Sequence, residues 1–337
     1  MKKEYYIGLD VHKRQTTYTV KDWDGVTVAS GKTATVFSDI NNEIGKYMQD
    51  GIVAVEACTN YYHLYRSMKD NNINVKVANV IQLRKVIGKN DRVDSARLAD
   101  MLRLKTMPES FIPSVEIQGL RNLISLYHNM IEENVRVQNK ILSYLDMNGI
   151  RIPVKTSFSK NWFLHFDEYL KKNGDITLKY MIESFKDHLS RINKLKLEMN
   201  CYIQKNFKQE YELLKSVPGI GNIISAYLVA EICPIERFEN NKKLRRYAGV
   251  VPIREQSDKK IYATYLPKHA SRRLLRYALV LSANCAIKSE NRLKAYYQKK
   301  KKGSVHGKAI MCVSSSICDI VYKVLKTKQA YGLSCST

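Results

Sequence analysis

Short hydrophobic segments separated by polar residues recur along the first hundred residues, and they predict β-strands. Residues 5–11 (YYIGLDV) are followed by the strand signals TTYTVKD and VTVAS, and Asp24-Gly25 supplies a hairpin turn before the third strand. Extended segments at 51–57 and 73–80 enclose an aromatic-rich helix signal. A three-stranded meander followed by strands that alternate with helices predicts a mixed α/β sheet with helices packed against it.

The hydrophobic period becomes helical between residues 115 and 205. Apolar residues at spacings of three and four form two long seams, and polar Asn134 and Gln138 fill two positions of the first. These seams predict an antiparallel coiled-coil arm, in which polar seam residues commonly set register or oligomeric state. Dimerisation through the arm and a simple helical spacer are both open. The seam residues are Leu120, Ile124, Tyr127, Ile131, Ile141 and Leu145, then Ile182, Phe185, Leu189, Ile192, Met199 and Ile203.

From residue 209 onward the pattern predicts a compact, basic, helical domain. The turn SVPGIGN joins two helix signals, and its Gly219 and Gly221 allow a sharp turn that exposes amide groups at a helix N-terminus, where a phosphate can bind. This arrangement resembles a helix-hairpin-helix element, although two packed helices also need such a turn. The predicted domains are an α/β domain at 1–112, the arm at 113–208 and an all-α domain at 209–337.

Charge identifies the class of partner. The formal net charge is +24, from 56 Lys and Arg against 32 Asp and Glu. Such an excess indicates a polyanion, either nucleic acid or an anionic membrane surface. No apolar run approaches the roughly 18 residues of a spanning helix, and MKKEYYIGLD is too short and too soon charged for a secretory signal. Seven cysteines without a CxxC pair suggest neither a disulfide framework nor a zinc knuckle, so we expect a reducing, cytoplasmic location and no membrane partner.

Four carboxylates stand out in this basic chain. Asp10 and Glu56 each end a predicted strand, and a buried, unpaired carboxylate there costs stability unless it has a partner. Asp91 and Asp94, three residues apart, share one face of a helix and can present oxygens to one hard cation such as Mg2+. Capping of a helix start and solvated turns are the competing explanations. Together the four suffice to hold two Mg2+ ions around a phosphodiester.

Segments at both ends of the chain resemble one known family. YIGLDVHK, the VEA strand and KNDRVDSARLA resemble the DEDD-type, RuvC-like (RNase H-like) domain of the bridge-RNA-guided insertion-sequence recombinases. SVPGIG, LRRYAGVVPIREQSDKK and RRLLRYALVLSA resemble the second domain of that family, a transposase domain that carries a serine. The two sets occur in the family's order, and the arm between them is unspecific.

The resemblance implies a composite active site. Asp10, Glu56, Asp91 and Asp94 match the family's four carboxylates and would bind Mg2+, with Mn2+ able to substitute, while Ser257 matches the serine that attacks a DNA phosphate and holds the strand covalently. It further implies donor and target DNA, a noncoding bridge-type RNA that selects both by base pairing, and dimers that assemble into a tetramer.

The sequence departs from the family pattern at two places. Asp258 follows the serine where we expect glycine, and Lys268-His269-Ala270 replaces a basic residue followed by glycine. Ser257 by itself is also compatible with an ordinary hairpin turn.

Three arginines downstream extend the candidate nucleic-acid surface. Arg272, Arg273 and Arg276 lie on an amphipathic helix and suit phosphate binding, because guanidinium groups match phosphate oxygens; a solvated basic face is the alternative.

Three functions remain open. The first is an RNA-guided DNA transposase that uses serine chemistry, and it is the one we favour because both family domains are present. The second is a RuvC-like, metal-dependent junction nuclease that hydrolyses DNA with activated water. The third is a noncatalytic nucleic-acid-binding protein whose acidic residues are structural.

Overall fold

The chain forms two compact units, residues 1–112 and 113–337. The computed structural model describes residues 4–57, 61–79, 82–83, 94–154, 157–257, 260–265 and 272–332, with the backbone alone at 253–257 and 260–265. In the described residues, no helix is both long and apolar enough to cross a membrane.

The first unit is built on a five-stranded mixed sheet, as the alternation of strand signals predicts. Its order is β3-β2-β1-β4-β5, in which β1, β2 and β3 form an antiparallel meander and β1, β4 and β5 run parallel. The strands are β1 (Tyr5–Val11), β2 (Gln15–Lys21), β3 (Thr27–Ala34), β4 (Gly51–Glu56) and β5 (Asn74–Ala78). The helices are α1 (Phe37–Gln49), α2 (Tyr61–Asp70) and α3 (Ser95–Arg103).

Helix α1 is the one element of this unit that the strand-based interpretation did not include. Ile40, Ile44 and Met48 recur every four residues and are completely buried against the sheet. That spacing is typical of a helix with one buried face.

The two faces of the sheet carry different helices. Ile7 and Leu9 of β1 belong to one buried cluster with residues of α1 and α2. Tyr6 of β1 and Ala54 of β4 belong to a second cluster, which contains Leu98 of α3. Because side chains alternate along a strand, the even-numbered residues of β1 and β4 therefore face α3.

Helix α3 lies unusually close to β1 because Gly8 has no side chain. A Cβ atom at Gly8 would stand 1.8 Å from the carbonyl oxygen of Ser95 and 2.8 Å from the amide nitrogen of Ala99. The hydroxyl oxygens of Thr19 and Ser95 lie 2.8 Å apart in the buried contact beside it. Backbone contact at this distance fixes α3 on the sheet.

The second unit is mostly helical. Its helices are α4 (Val115–Met147), α5 (Lys160–Asn173), α6 (Ile176–Asn206), α7 (Lys208–Lys215), α8 (Asn222–Ile232), α9 (Asn241–Ala248), α10 (Arg273–Ala286), α11 (Arg292–Lys301) and α12 (His306–Thr327). A 3-10 turn occupies Ile235–Arg237, and the strands β6 (Ile253–Ser257) and β7 (Lys260–Tyr265) form an antiparallel hairpin.

Helices α4 and α6 pack antiparallel, as the two seams predict. The hydroxyl of Tyr202 donates to the carbonyl of Glu116 at 3.0 Å near one end of the pair, whereas Leu145 and Leu178 share a cluster with Trp162 of α5 at the other. Asn134 is buried within the seam. Its role in setting an oligomeric state remains a prediction.

Replacing Gly8 by alanine should destabilise the first unit by about 1–3 kcal/mol, because the added methyl overpacks the contact with α3. Urea denaturation followed by circular dichroism measures the loss, and hydrogen exchange shows whether protection falls in β1 and α3. Gly303→Ala is the matched control, since a Cβ there meets nothing within 4 Å. Equal stability of the two variants would refute the close-approach explanation.

Candidate functional site

Asp10 and Glu56 lie side by side at one edge of the sheet. The parallel register pairs Leu9 with Val55, and Asp10 and Glu56 each follow that pair by one residue. Both are even-numbered and so face α3. Each side chain is partly buried, and Asp10 Oδ2 lies 3.4 Å from Nε2 of His12. The strand register therefore places these two strand-end carboxylates beside each other, while their role as metal ligands stays a prediction.

Asp94 begins α3 at the same edge. Its side chain caps the helix by accepting a 2.8 Å hydrogen bond from the amide of Arg97. Toward the other end of the helix, Asp100 Oδ2 accepts a 2.5 Å hydrogen bond from Lys21 Nζ. Lys21 pairs with Tyr6, far from Asp10 along β1, so α3 runs antiparallel to β1 and points its N-terminus toward the Asp10 edge.

The fourth predicted carboxylate, Asp91, lies outside the described residues. Among those that are described, no group of three or more His, Cys, Asp and Glu side chains surrounds a single point as metal ligands would. The three described carboxylates thus share an edge and a face of the sheet without forming a closed metal cage. Their oxygen donors are the type that Mg2+ prefers, so the residue types fit that ion.

Arg272, at the start of α10, is engaged by a buried acid. Its Nε and Nη2 donate to the two carboxylate oxygens of Glu231 at 2.7 Å and 3.0 Å. Glu231 lies in the last turn of α8 and is 2% exposed. Bidentate pairing of this kind is both strong and geometrically specific. In this structure the Arg272 guanidinium holds α10 to α8, and its predicted contact with nucleic acid remains a prediction.

Two further arginines surround Glu231. Arg237 Nη2 donates to the Glu231 backbone carbonyl at 2.5 Å, and Arg121 Nε donates to the carbonyl of Ala230 at 2.8 Å. Burial lowers the pKa of the Arg121 guanidinium, and the negative charge of Glu231 opposes that shift. Glu231 was missed in the sequence interpretation; its signal is a lone acid inside the apolar run of α8.

Arg273 and Arg276 differ in exposure. The Arg273 side chain is 86% exposed, with Nη2 3.3 Å from Glu132 Oε1. Arg276 is partly buried, and burial lowers the pKa of its guanidinium. Of the three predicted phosphate ligands, Arg273 therefore projects furthest into solvent.

The two predicted turn glycines have separate structural roles. Gly219 adopts a left-handed φ of +87°, and a Cβ there would approach the carbonyl oxygen of Ser282 in α10 to 2.3 Å. Gly221 is the N-cap of α8, where a Cβ would meet nothing within 4 Å and where no side chain caps the helix. The amides at the start of α8 are thus sterically accessible beside Gly221.

Ser257 ends β6 and pairs with Lys260 across the tip of the hairpin. The backbone alone is described there, and Asp258 lies outside the described residues. The tip position agrees with the turn chemistry of the segment, while the chemical role of the serine remains a prediction.

Two family models match the chain. The model described as the transposase of the IS116/IS110/IS902 family matches residues 211–298, in the second unit. A transposase model for the DEDD domain of IS110 elements matches residues 7–148, which include Asp10, Glu56, Asp91 and Asp94. The chain belongs to the IS110/IS116 family of transposases.

The chain is also similar to proteins of three insertion sequence elements. The transposase of insertion sequence element IS1111A from Coxiella burnetii is 20% identical over 83% of this chain and 79% of its own length. A 44.8 kDa protein of insertion element IS116 from Streptomyces clavuligerus is 26% identical over 36% of this chain, and a 43.6 kDa protein of IS110 from Streptomyces coelicolor is 22% identical over 47%. The matches span only 30% and 40% of those two proteins.

Replacing Glu231 by glutamine should lower the stability of the second unit by about 1.5–3 kcal/mol, because Arg272 then loses a charged hydrogen-bond partner. Urea denaturation measures the change. Arg273→Gln, at the neighbouring exposed position, should change stability by no more than about 0.5 kcal/mol. A larger loss in Arg273→Gln than in Glu231→Gln would contradict the importance assigned to the buried pair.

Proposed function

We propose that this protein is an RNA-guided DNA transposase of an insertion sequence, which cuts and rejoins donor and target DNA through a covalent phosphoserine intermediate. The observation that carries the proposal is the placement of Asp10, Glu56 and Asp94 at one edge of the sheet, in a chain matched by both transposase models. The three-stranded meander with parallel strands beside it supports the RuvC-like assignment of the first unit.

The proposed metal site consists of Asp10, Glu56, Asp91 and Asp94. The match of this chain to the DEDD domain model supports an activity that depends on a divalent metal. We propose two Mg2+ ions, with Mn2+ as a substitute. Such ions supply charge that stabilises the attacking and leaving oxygens of a phosphoryl transfer. On the protein side, Asp94 uses one oxygen to cap α3, which holds the carboxylate at the sheet edge and leaves the second oxygen for a ligand.

Ser257 is the proposed nucleophile. Its hydroxyl oxygen bonds to a DNA phosphorus while the bond from phosphorus to the leaving deoxyribose oxygen breaks, and the serine proton passes to that oxygen. Attack of another strand's hydroxyl on the phosphoserine reverses these changes and restores the serine. One ester bond replaces another in each step, so rejoining requires no external energy source. A serine hydroxyl needs activation, which a base or the metal site can provide.

The remaining partners follow from charge and from the family. The net charge of +24 supports binding of two polyanions, the DNA substrates and a bridge-type RNA that selects them by pairing. Arg272, Arg273 and Arg276, with the backbone near Gly219 and Gly221 in the proposed helix-hairpin-helix, are the proposed phosphate contacts. We further propose that the protein acts in the bacterial cytoplasm as a dimer that assembles into a tetramer.

The second candidate is a metal-dependent junction nuclease. The same three carboxylates would support hydrolysis by activated water, without any role for Ser257. This candidate predicts cut DNA with no protein attached, whereas the transposase predicts a covalent adduct.

A covalent trapping experiment separates the candidates. Protein, Mg2+, RNA transcribed from the flanking noncoding region and labelled DNA spanning the element ends are run on a denaturing gel. We expect a DNA-linked protein band that requires the RNA and disappears in Ser257→Ala and in Asp94→Asn. Asp24→Asn, an exposed turn residue in the first unit, is the matched control and should retain the band.

Each other outcome has a definite meaning. DNA cleavage without an adduct, undiminished in Ser257→Ala, would establish the junction-nuclease function and exclude Ser257 as the nucleophile. DNA binding that is indifferent to Asp10→Ala, Glu56→Ala and Asp94→Ala, with no cleavage, would favour a noncatalytic binding protein.

Metal dependence has a direct test. Wild-type protein should reduce the electron paramagnetic resonance signal of free Mn2+, and Asp10→Asn combined with Glu56→Gln should abolish that reduction, because the ion loses two charged ligands. EDTA should eliminate the DNA adduct, and excess Mg2+ should restore it. An adduct that persists in EDTA would contradict a metal-dependent mechanism.

A further inference from the structure

A large open cavity lies in the second unit, and none of its described lining residues is a predicted site residue. It has a volume of about 1030 Å³ and is bounded by α9, α10, α11 and α12. Gly307, Ser315 and Ser316 of α12 face it, while the opposite side of that helix is buried in the core. These three small residues leave space beside α12 that larger side chains at the same positions would fill.

The cavity walls combine apolar surface with a few polar groups. Val280, Ile310, Met311 and the ring of Tyr296 supply the apolar surface. Asn284 contributes a side-chain amide, in addition to the serine hydroxyls. Apolar and aromatic walls with a few polar groups are typical of pockets that bind small molecules. A nucleobase has the apolar faces and polar edge that such walls accommodate.

The chain segment that supplies most of the cavity lining is rich in basic residues. Residues 241–308 contain 19 Lys and Arg but only 3 Asp and Glu, which is +16 of the chain's +24. Arg245 and Lys308 line the cavity itself, and Lys300 Nζ lies 5.5 Å from the ring centroid of Tyr296. This charge favours a ligand that carries phosphate.

The one acid among the described lining residues is already compensated. Asp319 Oδ1 lies 3.3 Å from Arg245 Nε and accepts a 2.8 Å hydrogen bond from Asn241. It therefore adds little repulsion toward a phosphate, and its carboxylate remains a hydrogen-bond acceptor within the cavity.

We propose that this cavity binds a single unstacked nucleotide of DNA or RNA, with the base inside against Tyr296 and the phosphate at the Arg245 and Lys308 rim. A base inside a duplex is stacked on both faces and cannot enter, so the ligand is a bulged, looped or displaced nucleotide. The inference rests on the proposed function in taking nucleic acid as the partner, and it adds a place where an unpaired base is held during strand exchange.

The test compares three hairpin oligonucleotides, each made in DNA and in RNA, by fluorescence anisotropy with the full chain and without Mg2+. One has a single bulged nucleotide, the second has an abasic bulge, and the third is fully paired. Wild type should bind the base-containing bulge about tenfold more tightly than the abasic one, because a buried base stacks on an aromatic wall. The strand type with the larger ratio identifies the source of the nucleotide.

Ser316→Trp fills the cavity without changing charge. This variant should reduce the ratio of base-containing to abasic affinity to about one while leaving affinity for the paired hairpin unchanged. Ser125→Trp, at an exposed position of α4, should retain the wild-type ratio. Asn284→Leu is a milder second variant that should also lower the ratio, and thermal unfolding checks that each variant is folded. Lys308→Gln should weaken binding of the base-containing and abasic bulges equally, because it contacts phosphate.

Two results would overturn the proposal. One is equal wild-type affinity for the base-containing and abasic bulges in both DNA and RNA. The other is a ratio of base-containing to abasic affinity that Ser316→Trp leaves unchanged in the folded protein. If light scattering shows that the same variant changes the oligomeric state, this overturning result indicates that the cavity binds a protein segment. The assay involves no cleavage, so a base-dependent ratio can survive the loss of the proposed transposase function, and the covalent adduct can survive the loss of this inference.

Discussion

The contact between α3 and β1 is the constraint on which the first unit depends. Gly8 lets the backbone of α3 approach within the space that any side chain would fill, and Thr19 and Ser95 complete the contact with their hydroxyls. The helix can then lie along β1 in only one position. Its N-terminus reaches the edge where Asp10 and Glu56 end their strands, so a packing contact places Asp94 beside them.

The second unit uses a glycine in the same way and adds a buried ion pair. Gly219 brings the turn before α8 against the backbone of α10. At the far end of α8, the Glu231 carboxylate accepts two hydrogen bonds from the guanidinium of Arg272, at the start of α10. A carboxylate that is almost fully buried is costly without a charged partner, which explains why arginines surround it. Both ends of α8 are thus fixed to α10, the helix that follows the β6-β7 hairpin in the chain.

Charge is distributed unevenly between these parts. Residues 1–112 contain 17 Lys and Arg against 13 Asp and Glu, a net charge of +4, whereas residues 241–308 carry +16. The carboxylate edge therefore belongs to the less basic part of the chain. The strongly basic segment supplies most of the described lining of the cavity in the second unit. Within the proposed function, this separation assigns metal binding to the first unit and much of the polyanion binding to the second.

Local pattern by itself determined which segments form strands and long helices. Short apolar and β-branched segments specified β1, β2 and β4, and the three-and-four spacing specified α4 and α6. Turn chemistry specified the hairpin at Gly25. Each of these signals arises between residues that are close in the chain. Residue types also singled out Asp10, Glu56 and Asp94.

Only tertiary structure decided that these three carboxylates share one edge and one face, since that depends on the parallel register of β1 with β4 and on the position of α3 along the sheet. The same holds for Arg272, which the sequence presents as a solvent-facing cation and the fold pairs with Glu231, forty-one residues away. Contacts between residues far apart in the chain decide where these side chains lie, and the local hydrophobic pattern carries no information about such contacts.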